Sequence, residues 1–290
     1  MQKLTKVSFK NKIAKADIKG YVSLNKKLVL LLPYIAIAII LIVFPMAMLM
    51  SKSLGQTGGD NAAIVKQSST WAIMGRSVYL GLAAAVISLL ICFPFAYIVG
   101  RSKSKAFRLI SIALLVSPLF VFTISKIFSL KILLLVMFEN PDKLSNELVM
   151  ILGMVYLYMP FMVVPLYSVL QQMPSSLLEA SKDLGYGRIS SIVKVVVPYA
   201  LKAIFSGLAI VFMMSATSLA ISGALLKDVK ELKMIGNVMD EMAAKMRTND
   251  LSAAQGSTLA LVTIAVMMGV YGALYLIPQI IRKLKGGVNA

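Results

Sequence analysis

The chain has 290 residues, of which 59% are hydrophobic and 14% are charged. Soluble domains are about a quarter charged, so this composition argues against a soluble enzyme. The net charge of +18 does not indicate a nucleic-acid-binding protein, because very long apolar runs separate the basic residues. The chain has no His and one Cys, Cys92, which excludes a Cys/His metal site, an internal disulfide and a Ser–His–Asp or Cys–His catalytic arrangement. We therefore predict a membrane protein that performs no covalent chemistry and holds no metal or cofactor.

Six segments have the length and composition of transmembrane helices, which need about 20 mostly apolar residues. Their approximate bounds are Leu28–Met50, Ser77–Val99, Leu109–Leu130, Leu148–Leu170, Ala203–Leu225 and Ser257–Ile281. The first segment begins too late and runs too long for the apolar core of a signal peptide. The sequence therefore predicts an all-α membrane protein with an N-terminal segment 1–27, a six-span domain 28–281 and a tail 282–290.

Prolines lie inside the first four predicted spans, where neighbouring helices can satisfy the carbonyl groups that a proline leaves free. They are Pro33, Pro45, Pro94, Pro118, Pro160 and Pro165. We expect kinks in a packed bundle at these positions, and a moving hinge at one of them is the alternative.

The basic residues indicate the orientation of the chain, because cytoplasmic segments of membrane proteins are enriched in Lys and Arg. The N-terminal segment 1–27 contains eight Lys and one acidic residue, Asp17. Basic residues also dominate the second-to-third connection, the fourth-to-fifth connection and the tail. Both termini are therefore predicted to be cytoplasmic, and part of the charge can attract anionic lipid.

A long polar connection, residues 171–198, joins the fourth and fifth spans on the predicted cytoplasmic side. Connections within a bundle usually have about 2–8 residues. Pro174 and the two serines after it predict a helix start, and Glu179 in the first turn suits the helix dipole. Gly185 ends this helix, and an apolar stretch then leads into Pro198. From this pattern alone, an amphipathic loop on the membrane surface and a protein-docking element are both open.

The same connection resembles the EAA loop of ABC importer permeases, whose pattern is E-A-A-x3-G-x9-I-x-L-P. The spacing matches throughout, and the departures at positions 181, 195 and 197 are conservative in size. The residues that carry the resemblance are Glu179, Ala180, Ser181, Gly185, Val195, Val197 and Pro198. The resemblance implies a type I ABC importer permease fold, in which this loop is a coupling helix that docks into a separate ATPase subunit.

The resemblance also implies roles and partners. Glu179 would meet a basic residue of the ATPase, Gly185 would permit the turn behind the docked helix, and Pro198 would set the start of the fifth span. The partners would be a dimer of ATPase subunits, a second permease subunit and an extracytoplasmic solute-binding protein, in a bacterial inner membrane. The chain has no G-x4-G-K-[ST] phosphate loop, so ATP would be bound and hydrolysed by the partner ATPase.

Two further strings resemble the spermidine/putrescine permease group. They are MIGN at residues 234–237 and MPFMVVPLY at residues 159–167, and they imply a polyamine as the transported solute. The MIGN string lies in a long connection, residues 226–256, where a short interfacial or re-entrant helix and a solvated loop are both open.

Four residues are candidates for the route of the solute: Lys126, Ser215, Thr217 and Ser218. Lys126 lies well inside a span, which makes it a functional candidate or a snorkelling side chain near a helix end. The three hydroxyl residues either pack and hydrogen-bond between helices or line a cavity. No Asp or Glu lies inside the six predicted spans, and a functional Lys126 would favour an anion such as a phosphonate.

The sequence also leaves an alternative from a different class, a self-contained secondary carrier. Such a carrier would show paired ionisable residues across the spans or an inverted repeat. Neither is evident in the sequence, so we favour the importer subunit.

Overall fold

The computed structural model describes residues 31–55, 58–138, 146–225, 232–246 and 249–286. Within these ranges the regular elements are all helices. In chain order they are α1 Leu31–Leu54, α2 Ala63–Lys66, α3 Ser68–Arg101, α4 Lys105–Val116, α5 Thr123–Phe138, α6 Glu147–Gln171, α7 Ser175–Asp183, α8 Arg188–Ala216, α9 Ala220–Leu225, α10 Ile235–Lys245 and α11 Asp250–Gly286. Five of these helices are long and apolar enough to cross a membrane, and α4 with α5 makes a sixth span if the bent pair counts as one.

Helix α1 belongs to a compact unit that ends at Gly55, separate from the unit that contains the other helices. It is apolar over 24 residues, and none of its side chains is buried. Its bounds agree with the first predicted span to within a few residues. The predicted N-terminal segment 1–27 lies outside the described residues.

Two long helices contain a π turn, which has one extra residue, just before a proline. Residues Ile39–Val43 of α1 and Ile192–Val196 of α8 form π turns, and Pro45 and Pro198 each follow two residues later. A proline has no N–H to donate, and its ring clashes with the carbonyl four residues earlier. A π turn moves that carbonyl away, so the helix continues through the proline.

The third predicted span, Leu109–Leu130, is not one straight helix. Helix α4 passes into a 3₁₀ turn at Ser117–Phe120, and α5 then departs at an angle of 103°. Pro118 lies in this turn and cannot donate the hydrogen bond that would continue the α-helix. The expected kink at Pro118 is therefore a break, and Lys126 lies on the helix after it.

The fifth predicted span, Ala203–Leu225, is also interrupted. Helix α8 begins much earlier, at Arg188, and ends at Ala216, after which the short helix α9 follows. Two of the candidate hydroxyl residues, Thr217 and Ser218, lie in the break. At the other end of the chain, α11 continues to Gly286, so the predicted boundary between the last span and the tail is not a helix end.

Helices α3, α6 and α8 pack against one another at the centre of the second unit, and α11 packs against α8 and α10. Small residues set the distance between them. A Cβ added to Gly81 of α3 would lie 2.8 Å from the Cβ of Ala216, and one added to Gly207 of α8 would lie 2.6 Å from the sulfur of Met162. Close approach at small residues is the usual way in which membrane helices associate.

The buried apolar side chains of this unit form two clusters along its length. One runs the length of the unit, from Leu170 and Val196 near α7 to Ile235 and Val238 of α10. The other includes Met150 and Ile221 and lies toward the end that carries α10. These two ends, called the α7 end and the α10 end below, hold the candidate functional residues.

Candidate functional site

Helix α7 stands between two long helices and is ended by a specific turn. Gly185 has a φ of 79°, a left-handed conformation that favours glycine. The N–H of Gly185 donates to the carbonyl of Lys182 at 2.8 Å, and the N–H of Tyr186 donates to the carbonyl of Ser181 at 3.1 Å. These two bonds form a Schellman motif. The sequence prediction of a short helix that begins after Pro174 and ends at Gly185 agrees with this geometry. The predicted position of Glu179 in the first turn was wrong, because the helix begins at Ser175 and Glu179 is its fifth residue.

Ser181 joins α7 to the first turn of α8. Its hydroxyl lies 2.7 Å from that of Ser191, and both side chains are buried. The Ser191 hydroxyl also lies 3.4 Å from the carbonyl oxygen of Tyr186, and the ammonium of Lys194 lies 4.5 Å from the centre of the Tyr186 ring. Ser181, one of the three residues that depart from the EAA pattern, therefore faces inward, where its hydroxyl connects two helices.

The segment that leads into α7 is attached to the end of α3. A guanidinium nitrogen of Arg101 donates to the carbonyl of Met173 at 2.7 Å. The neighbouring Gly100 is so close that an added Cβ would lie 3.2 Å from the backbone nitrogen of Gln171. Both ends of α7 are thus connected to long helices, α3 before it and α8 after it.

The outer face of this region is exposed and carries both charge and apolar surface. Glu179 and Ala180 are exposed. Leu184 is 75% exposed and Ile189 is 79% exposed. The apolar run that follows has a different environment, since Val196 is fully buried while Val195, Val197 and Pro198 are partly buried. Of the residues that carry the sequence pattern, those at the start of the loop are therefore exposed except for Ser181, and those at its end are packed.

At the α10 end, the amide of Asn237 connects three segments. Its oxygen accepts from the N–H of Met234 at 3.1 Å and from the hydroxyl of Ser222, and its nitrogen donates to the carbonyl of Leu219 at 3.2 Å. The start of α10 is also bound to α3, because the N–H of Ile235 donates to the hydroxyl oxygen of Ser77 at 2.8 Å. Of the two alternatives for the MIGN string, the structure has the short helix.

The break between α8 and α9 lies directly against α10. A Cβ added to Gly236 would lie 2.7 Å from the carbonyl oxygen of Thr217. Thr217 is exposed and its hydroxyl donates to the carbonyl of Met213 at 2.7 Å. Ser215 is fully buried, and none of the described residues forms a hydrogen bond with its hydroxyl, while the buried Ser218 interacts with the hydroxyl of Tyr158.

Lys126 lies in the first turn of α5 and is 7% exposed. Among the described residues, no acidic group or hydrogen-bond acceptor binds its ammonium. No hydrogen bond in that part of the chain joins it to Ser215, Thr217 or Ser218 either. The structure thus brings the three hydroxyl residues together at the α10 end and leaves Lys126 as a separate feature.

The family described as "binding-protein-dependent transport system inner membrane component" matches residues 93–282. The chain belongs to this family. The matched region begins within α3 and continues through α7 and α8 into α11. The resemblance that the EAA loop indicated is therefore confirmed, and the protein is a multi-pass inner-membrane permease subunit.

Relatives of this permease subunit include proteins named for polyamine transport. The spermidine/putrescine transport system permease protein PotB homolog of Mycoplasma pneumoniae is 30% identical over 277 residues, which cover 90% of this chain and 96% of that protein. The homolog of Mycoplasma genitalium is 28% identical and covers 89% and 95%. PotB of Escherichia coli is 28% identical and covers 73% and 80%.

A solved structure with a similar fold comes from a bacterial ABC transporter involved in the import of the acidic polysaccharide alginate. The similarity has a TM-score of 0.63 and covers 89% of this chain and 95% of that chain, with 15% sequence identity. The predicted all-α importer permease fold is therefore confirmed. A permease of this class functions with an ATPase and a binding protein.

The contacts of α3 with the segment before α7 and with α10 could not be predicted from the sequence. Arg101 belongs to the basic second-to-third connection, and Ser77 begins the second predicted span. One contact of Asn237 could have been predicted, because the side chain of an Asn three residues into a helix can accept a hydrogen bond from the backbone N–H of the residue before the helix. The contacts that Asn237 makes with Ser222 and Leu219 join residues that are far apart in the sequence, so spacing alone cannot indicate them.

Proposed function

We propose that this permease subunit moves a polyamine such as spermidine or putrescine through an ATP-driven importer. The name that three relatives share supports this solute, since they are 28–30% identical to the chain. The MIGN and MPFMVVPLY strings point to the same group. A binding protein would deliver the solute, and a second, related permease would complete the pathway.

The observation that carries the coupling role is that α7 is exposed on its outer face and attached at both ends. Glu179 supplies a negative charge for a basic group on the ATPase, and a charge-assisted contact of this kind is among the stronger hydrogen bonds. Leu184 and Ile189 add exposed apolar surface beside it. We therefore assign Glu179, Leu184 and Ile189 to the docking surface, and Ser181 to the attachment of α7.

Movement of α7 would pass to the spans as a rigid-body displacement. The Arg101–Met173 hydrogen bond transfers it to α3, and the Ser181–Ser191 hydrogen bond transfers it to α8. Helix α3 has 34 residues and is therefore about 50 Å long. Two of its residues far from Arg101 make the contacts at the other side: Ser77 contacts α10, and Gly81 contacts the end of α8.

The remaining assignments follow from this role. The chain would bind no cofactor and catalyse no reaction, because ATP is bound by the partner ATPase. Both termini and α7 would lie on the cytoplasmic side, as the basic residues of the sequence indicate.

One observation favours a second candidate, an importer of the same class for an anion such as a phosphonate. Lys126 is buried and the described residues supply no counter-charge, so an anionic solute would be attracted to it. A polyamine would instead be repelled by the same group.

Uptake into proteoliposomes separates these candidates. The chain would be reconstituted with its ATPase, second permease and binding protein, and ATP-dependent uptake of labelled spermidine and of a labelled alkylphosphonate would be compared. We expect spermidine uptake, and accumulation of the phosphonate alone would show the second candidate to be correct.

The coupling role has its own test in Glu179→Lys. We expect this change to abolish uptake without reducing membrane insertion, because Glu179 is exposed and outside the spans. The control is Asp240→Lys, the same change of charge on exposed surface of α10. Normal uptake by the Glu179→Lys variant would refute the docking assignment.

A further inference from the structure

A groove of about 560 Å³ runs between α8 and α11 on the surface of the bundle. It lies along the middle of α8, and Lys202 immediately precedes Ala203, the start of the fifth predicted span. The residues that line it are Lys202, Phe205, Ser206, Ala209, Tyr271, Tyr275 and Gln279. Nothing in the coupling mechanism uses this groove.

The groove is polar at one end and apolar or aromatic at the other. Lys202 and Gln279 lie at the end of the groove nearer α7, because α8 starts beside α7 whereas α11 starts beside α10 and runs in the opposite direction. Ala209 and Tyr271 lie deeper along the spans, seven and eight residues away on their helices. Since an α-helix rises 1.5 Å per residue, the groove is about 10–12 Å long.

The charge of the groove is uncompensated. Lys202 is exposed, no ion pair of its ammonium occurs in the described part of the chain, and no acidic residue lines the groove. A lysine at the boundary of a membrane extends its ammonium toward lipid phosphates while its stem lies along apolar surface. The same positive charge repels a polyamine, so the groove does not suit the proposed cargo.

We propose that this groove binds an anionic phospholipid. Its phosphate contacts the Lys202 ammonium and accepts hydrogen bonds from Ser206 and Gln279, and an acyl chain lies along Phe205 and Ala209. In the sequence, Gln279 is followed by three basic residues, Arg282, Lys283 and Lys285. Charge complementarity distinguishes this occupant from a neutral lipid or a bare apolar protein surface.

The test compares lipids bound to the complete transporter. The delipidated complex is mixed with equal amounts of a phosphatidylglycerol and a phosphatidylcholine of the same chains, and bound lipids are counted by native mass spectrometry. We expect a preference for phosphatidylglycerol that Lys202→Ala lowers about fivefold, which corresponds to one lysine at a membrane surface. Lys103→Ala, which removes an exposed charge outside the groove, should leave the preference unchanged.

A second variant tests the groove without changing its charge. Ser206→Trp fills the groove and should reduce bound phosphatidylglycerol by one molecule per chain. Ile210→Trp, on exposed surface of the same helix beyond the lining residues, should not. An unchanged preference in Lys202→Ala, an unchanged lipid count in Ser206→Trp, or efficient cross-linking of Ser206→Cys to the second permease would each overturn the proposal.

Discussion

A guanidinium nitrogen of Arg101 lies 2.7 Å from the carbonyl oxygen of Met173, so the last residue of α3 holds the segment that leads into the coupling helix. The same helix accepts a hydrogen bond from Ile235 through Ser77, nine residues after its first residue, Ser68. Helix α3 therefore contacts the coupling helix at one end and α10 at the other. This connection makes α3, together with α8, a physical path between ATPase docking and the α10 end.

Replacement of Arg101 by Gln should uncouple the transporter. A hydrogen bond from a charged group contributes about 1.5–3 kcal/mol, so local opening of residues 172–186 should become about tenfold to a hundredfold more frequent. We expect faster amide hydrogen exchange there and reduced uptake per ATP hydrolysed. Lys103→Gln, with the same loss of charge two residues away, is the control. Wild-type exchange and stoichiometry in Arg101→Gln would contradict this role of α3.

The two glycines after the coupling helix should respond differently to alanine. Gly185 has a φ of 79°, and an alanine in this conformation costs about 1–2 kcal/mol. Gly187 has a φ of −67°, and an added Cβ there meets no atom within 4 Å. Gly185→Ala should lower uptake and loosen the end of α7, whereas Gly187→Ala should behave as wild type. Equal uptake by the two variants would show that the left-handed turn is not required for coupling.

The start and end of α7 were predictable because they depend on local chemistry. Pro174 cannot continue a preceding helix, and Gly185 adopts the backbone conformation that ends the next one. The spans were predictable for a similar reason, since their lengths and apolar composition must match a bilayer. The bend after Pro118 was predicted only as a kink, because the angle between two helices depends on what each one packs against.

The inward direction of Ser181 could not be predicted from the pattern. Its neighbours Ala180 and Lys182 are exposed while Ser181 is buried, and only the position of α8 determines which side of a nine-residue helix is covered. The same holds for the contact between Gly236 and Thr217, which lie 19 residues apart in the sequence. A glycine in a helix gives no indication of which backbone approaches it.

Replacement of Gly236 by Ala should destabilise the α10 end. The added Cβ would lie 2.7 Å from the carbonyl oxygen of Thr217 and 3.1 Å from the nitrogen of Leu219. Because both are backbone atoms, the two segments must separate, at a cost of about 1–3 kcal/mol. The control is Gly269→Ala, since no atom lies within 4 Å of a Cβ there.

A thermal unfolding midpoint of the purified complex measures the effect of both glycine variants. We expect a lower midpoint for Gly236→Ala and an unchanged or higher one for Gly269→Ala, because alanine favours a helix over glycine. Equal midpoints would show that α10 accommodates the methyl group without loss of its contacts.

The hydroxyl residues at the end of α8 should differ in their accessibility to water. Ser215 is fully buried and Thr217 is exposed. The wild-type chain supplies the background, because its one cysteine, Cys92, is buried. We therefore expect a water-soluble thiol reagent to label Thr217→Cys much faster than Ser215→Cys in the assembled transporter. Equal labelling rates would contradict the assignment of Ser215 to the interior.

Larger side chains at the same two positions then distinguish packing from a role in the solute route. Ser215→Ala should be tolerated, because it removes a buried hydroxyl to which no described residue forms a hydrogen bond, and such a group costs about 1–3 kcal/mol. Ser215→Leu should reduce the yield of assembled complex, because a buried site has no room for the added atoms.

Thr217→Leu should leave assembly intact, since the side chain is exposed. If Thr217 lines the route, this variant loses spermidine uptake while its ATPase activity continues. If uptake by Thr217→Leu equals that of the wild type, Thr217 does not line the route.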